Sequence, residues 1–137
     1  AYTAKISGPL LDRIDIHVEV PALDYNELSR TEPAEPSAEI RSRVIAARAF
    51  AAARTEGALT CNGLMTPADI RRFCRMDDAG GRLMQTAYDK FALSARAYDR
   101  ILKVARTAAD FDKSEIIRKE HIGLALQLRS MSKKYWQ

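Results

Sequence analysis

One alternating segment, set ahead of a long stretch whose periodicity is helical, constrains this chain more than any other feature. Ile14, Ile16, Val18 and Val20 alternate with Asp15, His17 and Glu19, and Pro21 follows. Period two over this length predicts a half-buried strand that stops at the proline. A lone strand leaves its backbone donors and acceptors, and its apolar face, without partners. The chain therefore reads as a piece of something larger, and residues around the strand are expected to fray where its sheet neighbours are missing.

Downstream, Asp24 is placed to cap a short helix that reaches Ser29, and the run TEPAEPS, with Pro33 and Pro36, predicts an extended linker. From there the pattern is helical. Ser37 is read as the cap of a helix to about Thr55 with Ile40, Val44, Ala47 and Ala51 on one stripe. Thr66-Pro67 starts a short helix ending near Met76. Asp77 and Asp78 open the next, to about Phe91, although Gly80 and Gly81 in its first turn weaken it. Ser94 caps a longer helix through Asp110, and a last helix begins at Ser114 or Lys119 and ends at Met131. The expected fold is mainly α, a bundle of four to five helices preceded by one strand. Residues 1–30 are expected to be the end of a larger unit, 31–37 a linker, and 38–137 the helical domain.

Of the 137 residues, 47% are hydrophobic and 29% charged, enough apolar side chain for a real core and too much for disorder. The formal charge of +4 decides little, because a nucleic-acid binder concentrates its charge on one face. Cys61 and Cys74 form no CxxC pair and have no nearby histidine, so no metal site is expected, and two buried thiols in a reducing cytoplasm are the simplest reading. No run approaches the roughly 18 apolar residues of a membrane span.

No segment matches the phosphate-binding loop G-x-x-x-x-G-K-[ST], and no metalloprotease or nucleophile-elbow motif is present. His17 and His121 lack a carboxylate and nucleophile partner in sequence and are read as structural. Arg13 stands where a Gly-Pro-Leu-Leu turn hands over to the strand, a position at which a scaffold holds functional groups. Taken alone, an arginine between Asp12 and Asp15 reads first as a surface ion pair. On the helix from Ser94, residues spaced at about 100° place Ala97, Ile101, Val104, Ala105 and Ala108 on one face and Arg96, Arg100 and Lys103 opposite. Arg96 lies in the first turn, where the helix dipole disfavours a cation by roughly 0.3–1 kcal/mol. Free N–H groups and a guanidinium together suit an anion such as a phosphate.

Taken in order, SGPLLDRIDIHVEVP, SAEIRSRVIAAR, TPADIRRFCRMD and LSARAYDRILKVARTAADF resemble the C-terminal part of the magnesium-chelatase-like AAA+ ATPases of the competence type, the ComM/YifB family. The resemblance covers nearly the whole chain. It implies that residues 1–30 are the end of the αβ nucleotide-binding core and that the helical domain is the AAA+ lid. It implies that Arg13 is an arginine finger acting in trans on a neighbouring subunit's ATP, and that Arg96 is the sensor-2 arginine on the γ-phosphate of its own. It further implies ATP and Mg²⁺ in the full-length protein, a homo-hexameric ring, and DNA branch migration during natural transformation. Phe111 stands where the family commonly has Leu, which conserves apolar character. The competing reading is a stand-alone helical nucleic-acid-binding or protein-interaction module, drawn from the Arg96, Arg100 and Lys103 stripe and the cluster Arg71, Arg72 and Arg75.

Overall fold

A computed structural model describes residue 10 and residues 13–29 and 31–129. The Gly-Pro-Leu-Leu turn falls largely outside the described residues, and the last helix ends at Gln127, short of the expected Met131. Among the described residues there are six α-helices and no strand: α1 (Tyr25–Leu28), α2 (Ser37–Arg54), α3 (Pro67–Phe73), α4 (Asp78–Phe91), α5 (Ala95–Phe111) and α6 (Lys119–Gln127). A 3₁₀ turn, Asn62–Leu64, links α2 to α3.

The expected strand over Ile14–Val20 does not form. Its residues have no ladder, and Ile14, Ile16, Val18 and Val20 are exposed by 40%, 48%, 65% and 84%. Alternation specifies a strand only where a neighbouring strand supplies hydrogen bonds and a cover buries the apolar face. Among the described residues, the one backbone pairing made by this stretch to the bundle is the His17 N–H donating to the Leu128 carbonyl at 2.7 Å.

Local signals set most helix starts. Asp24 caps α1 and exchanges hydrogen bonds with Glu27, and Thr66 does the same with Asp69 at α3, where Pro67 takes the first helical position. Asp77 accepts from the Gly80 N–H at 2.6 Å to open α4, and Ser94 accepts from the Ala97 N–H at 3.1 Å to open α5. Gly80, a poor helix former in the first turn of α4, leaves room for the capping carboxylate of Asp77. A Cβ there would lie 2.8 Å from the Asp77 carboxylate and 3.4 Å from the Ile117 carbonyl oxygen. Ser37 is not a cap: it is the first residue of α2, and Pro36 precedes it with no side-chain cap. The α3 helix stops at Phe73, earlier than expected, and the chain then runs extended so that Met76 bridges Ile117.

Helix α5 is the axis of the bundle, contacting α2, α3, the 3₁₀ turn and α6, while α4 packs on α6. The core joins Ile70, Cys74, Met84, Ile101, Leu102, Ile117 and Ile122 to Ala105, Ala109 and Ala125, which are fully buried. Alanines at those positions let α5 and α6 approach closely and fill the interface at crystal-like density. The stripe on α2 is buried only in part: Ala47 is enclosed, whereas Ile40 and Val44 are 44% and 38% exposed. The described residues provide no cover for the N-terminal half of that helix.

Three helices end on a residue other than glycine in the left-handed region: Glu56, Ala92 and Lys113, with φ of 52°, 46° and 52°. In each, the next N–H reaches back to a carbonyl in the last turn, as when Leu93 donates to Tyr88 at 3.1 Å. A Cβ in this conformation costs roughly 1–2 kcal/mol. Ala92→Gly is therefore expected to raise the urea midpoint by an amount worth about 1 kcal/mol, with no change in the slope of the transition.

Candidate functional site

Arg13 is exposed, in a turn closed by its own N–H donating to the Leu10 carbonyl at 3.0 Å. Its guanidinium makes no ion pair with a described residue. Asp15, one of the two carboxylates expected to hold it, pairs instead with Arg100 of α5. Arg96 is exposed in the first turn of α5 and has no side-chain partner among the described residues. Both sequence-predicted arginines thus present uncompensated cations, and Arg96 does so where the helix dipole works against one.

The rest of the basic stripe is engaged within the chain. Arg100 holds Asp15, and the Lys103 ammonium donates to the Gly63 carbonyl at 2.9 Å. Arg71, Arg72 and Arg75 remain exposed, with Arg72 lying 4.9 Å from the centroid of the Phe73 ring. Beside the first turn of α5 opens a cleft of about 440 Å³ lined by Met76, Met84, Gln85, Tyr88, Tyr98 and Asp99, among others. Its walls are mostly apolar, and no cation is among the lining residues. Tyr88 and Tyr98 meet edge to face there, 6.0 Å between centroids.

Beneath the arginine face lies a buried polar network that periodicity did not reveal. Arg106 and Asp110 sit among the apolar residues of α5, 0% and 2% exposed. Arg106 Nε donates to Asp110 Oδ1 at 3.1 Å, and its Nη atoms reach the carbonyls of Glu115, at 2.9 Å, and Ser114. Asp110 also receives Arg54 from α2 and the Asn62 amide at 2.7 Å, and Asn62 bonds Thr107 at 3.0 Å. Burial lowers the pKa of Arg106, with Asp110 opposing that shift. One carboxylate thus serves two guanidinium groups and pins α2, the 3₁₀ turn and the loop after α5 to the central helix. The available signal was the i, i+4 pair Arg106 and Asp110, which points into the apolar face when the helix is plotted with Leu102 and Ala109.

His121 is structural, as expected. Its Nδ1 accepts from the Arg118 N–H at 2.9 Å, which closes the start of α6, and Nε2 lies 2.9 Å from Asp112. With Nδ1 an acceptor, the neutral ring carries its proton on Nε2 and donates it to the carboxylate. His17 sits with neither ring nitrogen bonded to a described residue.

The cysteines divide. Cys74 is buried as expected, but Cys61 is exposed, because it lies in the loop before the 3₁₀ turn and not on a packed helix face. Burial pushes the Cys74 thiol from 9.0 up to about 11. Alkylation in native buffer is expected to modify Cys61 alone, with Cys74 reacting only on unfolding, as mass spectrometry of tryptic peptides would show. Because the unfolded thiol ionises first, the contribution of this site to stability is intact below pH 9.0 and falls as pH rises towards about 11.

Among the described residues no helix is long and apolar enough to cross a membrane, and no group of side chains is arranged to hold a metal ion. The family profile "Magnesium chelatase, subunit ChlI C-terminal" matches residues 34–129, and "Magnesium chelatase, subunit ChlI" matches residues 1–28. The chain is 37% identical over 131 residues to competence protein ComM of Haemophilus influenzae, covering 95% of this chain and 25% of that protein. It is 36% identical over 133 residues to YifB of Escherichia coli, and 32% identical over 133 residues to YifB of Salmonella typhimurium, covering 96% of this chain and 26% of each relative. The chain thus spans about a quarter of the length of these relatives. It belongs to the magnesium-chelatase-like AAA+ family of the ComM and YifB type, and corresponds to the C-terminal region of that family.

Proposed function

We propose that this region serves ATP hydrolysis in a ring of subunits, with Arg13 as the finger for a neighbour's ATP and Arg96 as the sensor-2 contact to the γ-phosphate in its own subunit. The observation that carries the reading is Arg96: an exposed cation in the first turn of α5, unpaired among the described residues and set against the helix dipole, where a phosphate would reverse the sign of its contribution. A guanidinium and free N–H groups fit a phosphate oxygen, so ATP with Mg²⁺ is compatible with the residues present. Bound Mg²⁺ would neutralise charge on the phosphates, and the two arginines would stabilise what remains as the phosphoryl group transfers.

A finger supplied from outside its own site requires a neighbour, and head-to-tail contacts that close give a ring, here a homo-hexamer. The relative named competence protein ComM supports a role for the whole protein in competence, and we propose that the ring works there as a cytoplasmic branch-migration motor on DNA during natural transformation. Steady-state ATP turnover by the full-length protein tests the site. Arg96→Ala is expected to lower turnover and weaken ATP binding, and Arg13→Ala to lower turnover with binding retained. Wild-type turnover in both variants would overturn the assignment.

A further inference from the structure

Residues 14–17 lie against α5 and the end of α6 through polar contacts. Asp15 pairs with Arg100; the Arg129 guanidinium donates to the Ile14 carbonyl at 2.7 Å; and the His17 N–H donates to the Leu128 carbonyl at 2.7 Å. Apolar burial does not explain this docking, because Ile14 and Ile16 remain 40% and 48% exposed. The positions joined are those next to the two functional arginines. Asp15 lies two residues after Arg13, within about 7 Å of chain, and Arg100 lies one turn after Arg96 on the same helix face, about 6 Å along its axis.

We propose that Asp15 and Arg100 are positioning residues that couple the sensor of one ATP site to the finger offered to the next. The inference rests on the finger and sensor-2 roles given above. Arg96 responds to the γ-phosphate in its own subunit, while Arg13 acts on the adjacent subunit. A tie between their supporting segments therefore passes the state of one site to its neighbour without any contact between the two nucleotides. Coupling of this kind is reciprocal in binding and commonly amounts to a factor of about 5–150. Arg100 suits this role, being only 25% exposed and projecting from α5 with its guanidinium turned to Asp15. Asp15 is 53% exposed, so neutralising it leaves the core intact.

The test is ATP turnover against ATP concentration in the full-length protein, read as a Hill coefficient. Wild type is expected to be cooperative. Asp15→Asn and Arg100→Gln are each expected to bring the coefficient to about one with maximal turnover retained, and Asp15→Arg combined with Arg100→Asp to restore it; a merely structural role would lower turnover and leave the coefficient unchanged. A wild-type coefficient in both single variants, with turnover still lost in Arg13→Ala and Arg96→Ala, would overturn the coupling and leave the site assignment standing. Wild-type turnover in Arg13→Ala and Arg96→Ala would overturn the assignment itself.

Discussion

Asp110→Ala is expected to destabilise this chain by about 3–5 kcal/mol, a large part of the roughly 5–15 kcal/mol available to a single domain. Among the described residues the carboxylate is the only anion in the buried network, and Arg54 and Arg106 both depend on it. Its removal leaves two guanidinium groups close together, Arg106 fully buried and Arg54 largely so, together with an Asn62 amide that loses one acceptor. Uncompensated buried charge is more costly than a lost methylene, because the desolvation of a cation is no longer offset once its anion is gone.

Asp110→Asn preserves volume and one acceptor but not the charge, and is expected to fall between Asp110→Ala and wild type. Arg106→Met should be milder than Asp110→Ala, since it leaves the Arg54 and Asp110 pair intact. Urea unfolding followed by helical circular dichroism gives the order. A midpoint for Asp110→Ala within about 1 kcal/mol of wild type would show that water enters the site and screens the arginines.

Arg13→Ala in the full-length protein is expected to reduce ATP turnover by about 10³-fold or more, with ATP affinity nearly unchanged. The reasoning follows from position. The guanidinium is exposed, has no ion-pair partner among the described residues, and projects from a turn and not from the packed bundle. A cation stabilises a transition state most when it is held ready and uncommitted to a ground-state partner. Action in trans gives the effect a signature that folding damage lacks. If Arg13 acts in trans as proposed, subunits carrying Arg13→Ala mixed with subunits whose own ATP site is disabled are expected to regain turnover, because each supplies what the other lacks. Absence of recovery in the mixture, alongside intact ring assembly, would place Arg13 outside the neighbour's site.

The sequence by itself determined the helical class, most helix starts and the two exposed arginines. Caps such as Asp24, Thr66, Asp77 and Ser94 act within one turn of backbone, so their chemistry is legible without knowing what lies nearby. The family resemblance was also legible, because it rests on ordered motifs and not on packing. Only the tertiary structure decided what depends on partners distant in the chain. It showed Arg106 and Asp110 turned inward to meet Arg54, Gly80 fitted against Ile117, and Asp15 drawn to Arg100 and away from Arg13. It also left Ile14 to Val20 without strand pairing. The reason is common to these cases: periodicity reports which face of a segment is apolar, whereas a buried charge, a close approach or a strand exists only when a second segment completes it.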